Sequence, residues 1–161
     1  MAEALFDPVA LVAVLEDLGK DIIENYRDLL DEHGHIASEK LYNNLSTEVE
    51  VNGTTYIVWL NLEDYWKFVE YDTKPHWVPI EPLKEWARNK IRIGRVLPRP
   101  DGKIPTPEQL AYTARWKIHN EGTTGTHDLR DTENAVLSMY EERLLEALHR
   151  DALDYIEKVM P

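Results

Sequence analysis

Apolar residues recur every three or four positions near the start of the chain, which is the spacing of one face of an α-helix. Asp7 and Pro8 precede the series as typical helix-start residues, and His33-Gly34 end it. The apolar positions are Leu11, Leu15, Leu18, Ile22, Tyr26 and Leu29. The pattern predicts a long amphipathic helix whose acidic residues face water.

The pattern then changes to an alternation that is typical of a β-strand. Thr47, Val49 and Val51 alternate with polar residues, Asn52-Gly53 has the sequence of a type I′ turn, and residues 54–60 are β-branched and aromatic. We predict a β-hairpin whose second strand is buried on both faces. Because two strands alone are marginally stable, the hairpin has to pack on helices, gain a strand from elsewhere in the chain, or be completed by a neighbouring subunit.

The middle of the chain predicts short helices separated by segments rich in proline. We expect one or two helical turns within 38–45, a short helix within 62–71 and a non-helical stretch over 72–79. Further helices are predicted from Glu81-Pro82 and from Thr106-Pro107, the latter ending before Gly122.

Two loops and a final helix complete the predicted elements. Residues 92–105 contain three prolines, two glycines and four basic residues, which indicates an exposed basic loop. A second loop is predicted over 122–131, followed by a helix capped by Thr132. The apolar face of that helix is predicted to comprise Ala135, Met139, Leu145, Leu148, Ala152, Ile156 and Val159.

Length and composition favour one globular domain. The 161 residues are 43% hydrophobic, and a chain of this length buries roughly two-thirds of its unfolded surface. We therefore expect a single domain over 1–161 of α+β class. In it a long N-terminal helix, a β-hairpin or small antiparallel sheet, shorter helices and a long C-terminal helix pack together.

Composition also excludes several classes of protein. The absence of cysteine excludes a disulfide framework, thiol catalysis and cysteine-based zinc sites. No apolar run approaches 18 residues and the first residues are acidic, so we expect neither a membrane span nor a secretory signal.

The net charge of −12 is unevenly distributed. Residues 1–64 carry −11, residues 65–130 carry +4 and residues 131–161 carry −5. A basic middle between acidic ends allows copies of the chain to attract one another, or a basic rim to face an acidic partner such as nucleic acid. Alternatively, the helices at both ends only have solvated acidic faces.

The polar clusters give little support for an enzyme. His33 and His35, with Asp31 and Glu32, have metal-ligand residue types but lie at a predicted helix end, where histidine and glycine serve capping. His127-Asp128 follows a glycine- and threonine-rich loop that lacks a Gly-Lys-Ser/Thr ending, so it supports neither phosphate binding nor a small hydrolase. Because no nucleophile, base and orienting group occur together, we predict a non-enzymatic protein without cofactor or metal.

Basic and aromatic residues over 77–103 leave a nucleic-acid-contacting function open as the alternative. Trp86 is at helical spacing and is assigned to the core, so the candidate contacts in the 88–103 segment are those of the exposed loop: Arg92, Arg95, Arg99 and Lys103. A net charge of −12 opposes an approach to DNA unless this patch is well segregated.

One stretch resembles a known family. Residues 68–77 read Phe-Val-Glu-Tyr-Asp-Thr-Lys-Pro-His-Trp, and Pro79-Ile80 and Leu83-x-x-Trp86-Ala87 follow. In that order, after a long helix and a hairpin, they resemble the tail-completion, or head–tail joining, family of tailed bacteriophages. Ala37-Ser38-x-x-Leu41 and Ala111 to Ile118, ending at Gly122-Thr123, extend the resemblance along most of the chain.

Two segments depart from the family pattern. Asp72 stands where the family has glycine, so a left-handed backbone at that point would have to be adopted by aspartate. Residues 125–129, Gly-Thr-His-Asp-Leu, replace the family's Pro-Phe-Leu element, which is assigned to docking.

The resemblance implies a non-catalytic virion structural protein that is assembled in the host cytoplasm and forms a ring in the neck, at the head–tail junction. Its partners would be copies of itself and the portal or connector and tail-tube proteins, with DNA contact possible in the channel and no membrane. The assembly surface would lie mainly in 70–105, with the loop 122–131. The expected contact residues are Glu70, Tyr71, Asp72, Thr73, Pro75, His76 and Trp77.

Overall fold

A computed structural model of the chain describes residues 6–33, 43–63 and 66–160. Most of the helical turns predicted within 38–45 lie outside these residues. The elements are α1 (Val9–Glu32), β1 (Ser46–Asn52), β2 (Thr55–Asn61), α2 (Trp66–Glu70), α3 (Ile80–Arg92), α4 (Pro107–Glu121) and α5 (Asp128–Val159). A two-stranded antiparallel sheet among long helices confirms the α+β class. None of the described helices contains a stretch that is both long and apolar enough to span a bilayer.

The chain divides into two compact units. Unit 1 comprises residues 1–26, 45–61 and 129–161, and unit 2 comprises residues 27–44 and 62–128. The acidic charge is concentrated in unit 1, because its sequence ranges carry −11 and those of unit 2 carry −1. The prediction of one domain over the whole chain stays a prediction.

In unit 1, α1 and α5 pack through apolar residues and through one buried carboxylate. Leu18, Ile22 and Tyr26 of α1 are buried, and Val136 and Tyr140 of α5 are buried as well. Each of these residues removes apolar surface from water, which is the main favourable term in folding.

The buried carboxylate is Asp151, which is 4% exposed. Its two oxygens accept hydrogen bonds from the backbone N–H groups of Ala10, at 2.9 Å, and Leu11, at 2.7 Å. These N–H groups belong to the first turn of α1 and have no carbonyl partner within the helix. A side chain 140 positions away thus caps a helix start at which the sequence indicated Asp7.

The hairpin packs on α1. Gly19 lies so close to β1 that a Cβ there would overlap the side chain of Thr47. Among the described residues the sheet has two strands, with Val49 opposite Val58. The prediction that β2 is buried on both faces is wrong: Trp59 is 50% exposed and donates its indole N–H to Glu50 at 2.6 Å.

The hairpin turn is displaced by one residue from its predicted position. Asn52 pairs with Thr55, which leaves Gly53 and Thr54 as the two central residues. Gly53 has a φ of 63°, whereas Thr54 is not in the positive-φ region. The type I′ turn predicted at Asn52-Gly53 is therefore wrong, and glycine at the first central position matches type II′.

The last helix also differs from its prediction. It begins at Asp128 rather than after Thr132, which is buried inside the helix. The predicted apolar face is largely exposed: Met139 is 71% and Leu145 is 69% exposed. The buried side instead includes Leu129, Thr132, Val136, Tyr140, Ala147 and Asp151. Two polar members, Thr132 and Asp151, interrupt this side, so a prediction based on apolar spacing does not find it.

In unit 2, α3 and α4 pack against each other. Each contributes a completely buried alanine, Ala87 and Ala111, and such small side chains allow helices to approach closely. The predicted boundaries of α4 are confirmed. Thr106 and Gln109 form a capping box, and Gly122 ends the helix with a φ of 80°.

Candidate functional site

The segment that carries the family resemblance lies against the second predicted loop. Thr73 and Thr123 form an isolated antiparallel bridge: the Thr73 N–H donates to the Thr123 carbonyl at 2.9 Å, and the Thr123 N–H donates to the Thr73 carbonyl at 3.3 Å. Their hydroxyl oxygens lie 2.7 Å apart. Two segments 50 residues apart are thus joined inside unit 2.

Further hydrogen bonds extend this contact on one side of the bridge. The N–H of Thr126 donates to the carbonyl of Val69 at 2.9 Å, and the N–H of His127 donates to the carbonyl of Glu70 at 3.2 Å. The N–H of Gly125 donates to a carboxylate oxygen of Asp72 at 2.8 Å. We call residues 69–74 and 122–127 together the turn pair.

Two glycines allow the turn pair to approach this closely. A Cβ on Gly122 would overlap the carbonyl of Thr73, and Gly122 also has a positive φ. A Cβ on Gly125 would lie 2.5 Å from the carbonyl carbon of Tyr71. Neither position has room for a side chain. Because both residues are glycine, the loop can pack directly against the backbone of residues 70–74.

The left-handed residue in the turn pair is His127 and not Asp72. Among the described residues, His127 is the only non-glycine residue with a positive φ, at 59°. The backbone at Asp72, where the resembled family has glycine, is therefore not left-handed. Its carboxylate instead holds the facing loop through the N–H of Gly125.

The seven predicted contact residues differ in accessibility. Glu70 is 1% exposed, so its side chain is inside unit 2, although its carbonyl accepts from His127. Thr73 and His76 are half-buried, and the Nδ1 of His76 lies 2.8 Å from the carbonyl of Lys74. The exposed members are Tyr71, Asp72, Pro75 and Trp77.

Trp77 is the most exposed of the aromatic residues in this set, at 63%. The guanidinium of Arg115 lies 3.7 Å from the centre of its ring, and the ring of His119 meets it edge-on at 5.0 Å. A cation over an indole is a favourable arrangement and holds the ring in one orientation. Trp77 is therefore exposed, but its ring is held in place by Arg115 and His119.

Helix α4 continues this surface with two more aromatic rings. Tyr112 and Trp116 are both more than half exposed. They lie three or four residues from Arg115 and His119, so all four side chains project from one side of α4. We call Trp77, Tyr112, Arg115, Trp116 and His119 the aromatic face.

Lys84 on α3 lies near Glu108 and Tyr112 in the first half of α4. The hydrogen bond from Lys84 to Glu81, at 2.8 Å, raises the pKa of Lys84 above its usual value. Tyr112 and Glu108 raise it further by smaller amounts. The ammonium group is thus paired with Glu81, close to Tyr112 of the aromatic face.

The four candidate cations of the basic loop are exposed, as predicted. Arg95 is paired with Asp31: its guanidinium lies 2.9 Å from the carboxylate and also donates to the Asp31 carbonyl. The backbone of Arg99 bonds to that of Lys103 at 2.9 Å, and Arg99 reaches Gln109 at 3.4 Å. Arg92 is the last residue of α3, and the loop that follows it is held by hydrogen bonds and by the pair between Arg95 and Asp31.

The histidine clusters form no metal centre in the described part of the chain. No three histidine, aspartate or glutamate side chains lie together there in a way that could hold an ion. His33 directs its Nδ1 at Asp128, 2.8 Å away, and His35 lies outside the described residues. Asp128 is 2% exposed, so the pair joins the end of α1 to the start of α5.

Comparison with protein-family models, with curated proteins and with solved structures finds no match.

The sequence singled out Trp77 but not the α4 residues beside it. A signal was present, because Tyr112, Arg115, Trp116 and His119 recur at helical spacing, and the small residues Ala111 and Ala114 lie beside and behind them on the helix. An aromatic series of this kind is usually assigned to a core. Only the burial of the alanine side against α3 shows that the rings remain outside.

Proposed function

We propose that the chain is a non-enzymatic structural protein of a tailed-phage virion, which completes the tail or joins head to tail as a ring in the neck. Its partners would be copies of itself, the portal or connector and the tail tube. The proposal starts from the resemblance over residues 68–87, which include residues 69–74 of the turn pair and Trp77 of the aromatic face.

The observation that carries the proposal is the exposed aromatic face. Trp77, Tyr112 and Trp116 are each more than half exposed, and tryptophan, tyrosine and arginine are the residues enriched at the energetic centres of protein interfaces. The face is supported by the turn pair and by stacking on Arg115, so its geometry is largely formed before a partner binds.

Binding of nucleic acid by the basic loop is less well supported. Arg95 is paired with Asp31, and the chain as a whole carries −12. Both features oppose the accumulation of phosphate-binding cations that this function needs.

The proposal is tested on the purified full chain. Negative-stain imaging should show rings with countable subunits, and pull-down should recover the portal-connector and tail-tube proteins encoded beside it. Trp77→Ala should weaken assembly. Trp59→Ala removes a half-exposed indole from the hairpin and should leave assembly unchanged. A compact monomer at high concentration that binds neither component would overturn the proposal.

A further inference from the structure

A stripe of aliphatic residues runs along the exposed side of α5 in unit 1. Leu145, Leu148, Ala152, Ile156 and Val159 follow one another at three- or four-residue spacing, and we call them the α5 stripe. Leu145 is 69% exposed, and all of its members except the half-buried Ala152 are exposed. At 1.5 Å per residue the stripe is roughly 21 Å long.

The α5 stripe is separate from the side of α5 that forms the core of unit 1. Val136, Tyr140, Ala147 and Asp151 point into that core. At 100° per residue, the stripe lies roughly 120° around the helix from them. Contiguous exposed apolar surface of this kind usually marks an interaction site.

The charge of unit 1 argues against pairing of two such stripes. The ranges of unit 1 carry −11, and Glu141 lies within the stripe's own side of α5. Two copies that met stripe to stripe would bring two strongly acidic units together, and like charges oppose such a contact.

The aromatic face of unit 2 is the complementary surface on the same chain. It contains Arg115 and His119, and the ranges of unit 2 carry only −1 against −11 for unit 1. Its three half-exposed rings offer roughly 100–150 Å² of surface each. Together they supply about half of the ~800 Å² that each partner buries in a stable interface. Aliphatic side chains packed on flat rings, with the acidic unit 1 of one copy opposite the nearly neutral unit 2 of the next and its Arg115, satisfy both surfaces.

We infer that the α5 stripe of one copy docks on the aromatic face of the next copy. The contact joins two different surfaces, so it is heterologous and each copy has one surface left to continue the series. This inference rests on the ring assembly of the proposed function and names the two surfaces that form it.

Two variants test it by complementation. The face variant Trp77→Ser/Trp116→Ser and the stripe variant Leu145→Glu/Ile156→Glu change only exposed positions, so circular dichroism should show unchanged helix content. By mass photometry the wild type should oligomerise, and each variant alone should associate at least tenfold more weakly. Mixed one to one, they should form heterodimers, because each copy supplies one intact surface, and no larger species.

Controls separate the surfaces from general effects. Met139→Glu adds a charge to α5 outside the stripe, and Trp59→Ser removes an exposed indole outside the face; both should oligomerise like the wild type. If the stripe variant loses helix content, the pair Leu145→Ser/Ile156→Ser replaces it.

Four results would overturn the inference. A mixture that stays monomeric excludes complementary surfaces. A face variant that dimerises while the stripe variant does not shows stripe-to-stripe pairing. If both variants still form rings, the proposed function stands, but other surfaces form the ring. If the wild type is a monomer that binds no neck component, both the proposed function and this inference are wrong.

Discussion

Asp151 is a buried carboxylate held by the first turn of α1. It accepts two backbone N–H groups, and the positive end of the helix dipole favours its charge. Asp151→Ala removes the acceptor and leaves a buried donor on Leu11 and a part-buried donor on Ala10, so the free energy of unfolding should fall by about 2–3 kcal/mol. Urea denaturation measures this change.

Two further variants make the test of Asp151 specific. Asp151→Asn keeps one oxygen acceptor and should be less destabilising than Asp151→Ala. Asp154→Asn alters an exposed carboxylate on the same helix and should change stability by less than about 0.5 kcal/mol. Equal effects at positions 151 and 154 would contradict the capping role.

Gly125 decides whether the turn pair can close. Gly125→Ala places a methyl group against the backbone of Glu70 and Tyr71, where neither segment can move without losing its hydrogen bonds. Amide hydrogen exchange at Thr126 and His127 should become at least tenfold faster. Gly102→Ala is the control: its φ is 76° but its surroundings are open, so it should cost about 1 kcal/mol and leave those amides unchanged.

Tyr140 links stability to pH. Burial, followed by the hydrogen bond that it donates to Asp21, raises the pKa of its phenol above the usual value. Its contribution is therefore present below the unfolded pKa, near 10, and lost as pH rises through the higher folded pKa. Tyr140→Phe should cost about 1 kcal/mol at pH 8.

The pH series distinguishes this explanation from simple loss of packing. The difference in unfolding free energy between wild type and Tyr140→Phe should shrink as pH rises above 10. A difference that stays constant from pH 8 to 11 would contradict it.

At the scale of elements, α5 can be checked for the side that it buries. Val136 is 3% exposed, whereas Met139 belongs to the predicted face and is exposed. Val136→Ala should lower the unfolding free energy by about 2 kcal/mol through lost burial and a cavity, and Met139→Ala should change it by less than about 0.5 kcal/mol. If Met139→Ala were more destabilising than Val136→Ala in both thermal and urea unfolding, the face predicted from the sequence would be the buried one.

Helix boundaries were predicted correctly where they were marked by capping residues or by a glycine. The Thr106-Pro107 start and the Gly122 end of α4 are confirmed because capping and a positive φ involve only neighbouring residues. The hairpin was also predictable, although its turn moved by one residue because only Gly53 adopts a positive φ. Which side of α5 is buried depended on Asp151 reaching α1, and no local pattern contains that contact.

At the scale of the whole molecule, charge bears on the alternative function. With −12 overall and Arg95 paired with Asp31, the full chain at micromolar concentration should not shift duplex DNA at physiological salt. An electrophoretic mobility assay measures this. A shift that weakens with salt and is lost when Arg92, Arg95, Arg99 and Lys103 are all changed to Ala would instead favour nucleic-acid contact.

The sequence by itself determined the α+β class, the order of the elements, the hairpin and the exposed basic loop. These features follow from periodicity and capping, which act over a few residues. It also singled out the segment 70–77, but not the hydrogen bonds to residues 123–127 that hold this segment in place.

Only the tertiary structure decided that Gly122 and Gly125 bring this segment against the loop 122–127, that Trp77 stacks on Arg115, and that α5 buries Asp151 while exposing its aliphatic stripe. Each of these depends on contacts between residues at least 38 positions apart. Burial there is set by which surfaces meet, and the same apolar spacing fits either a core or an interface.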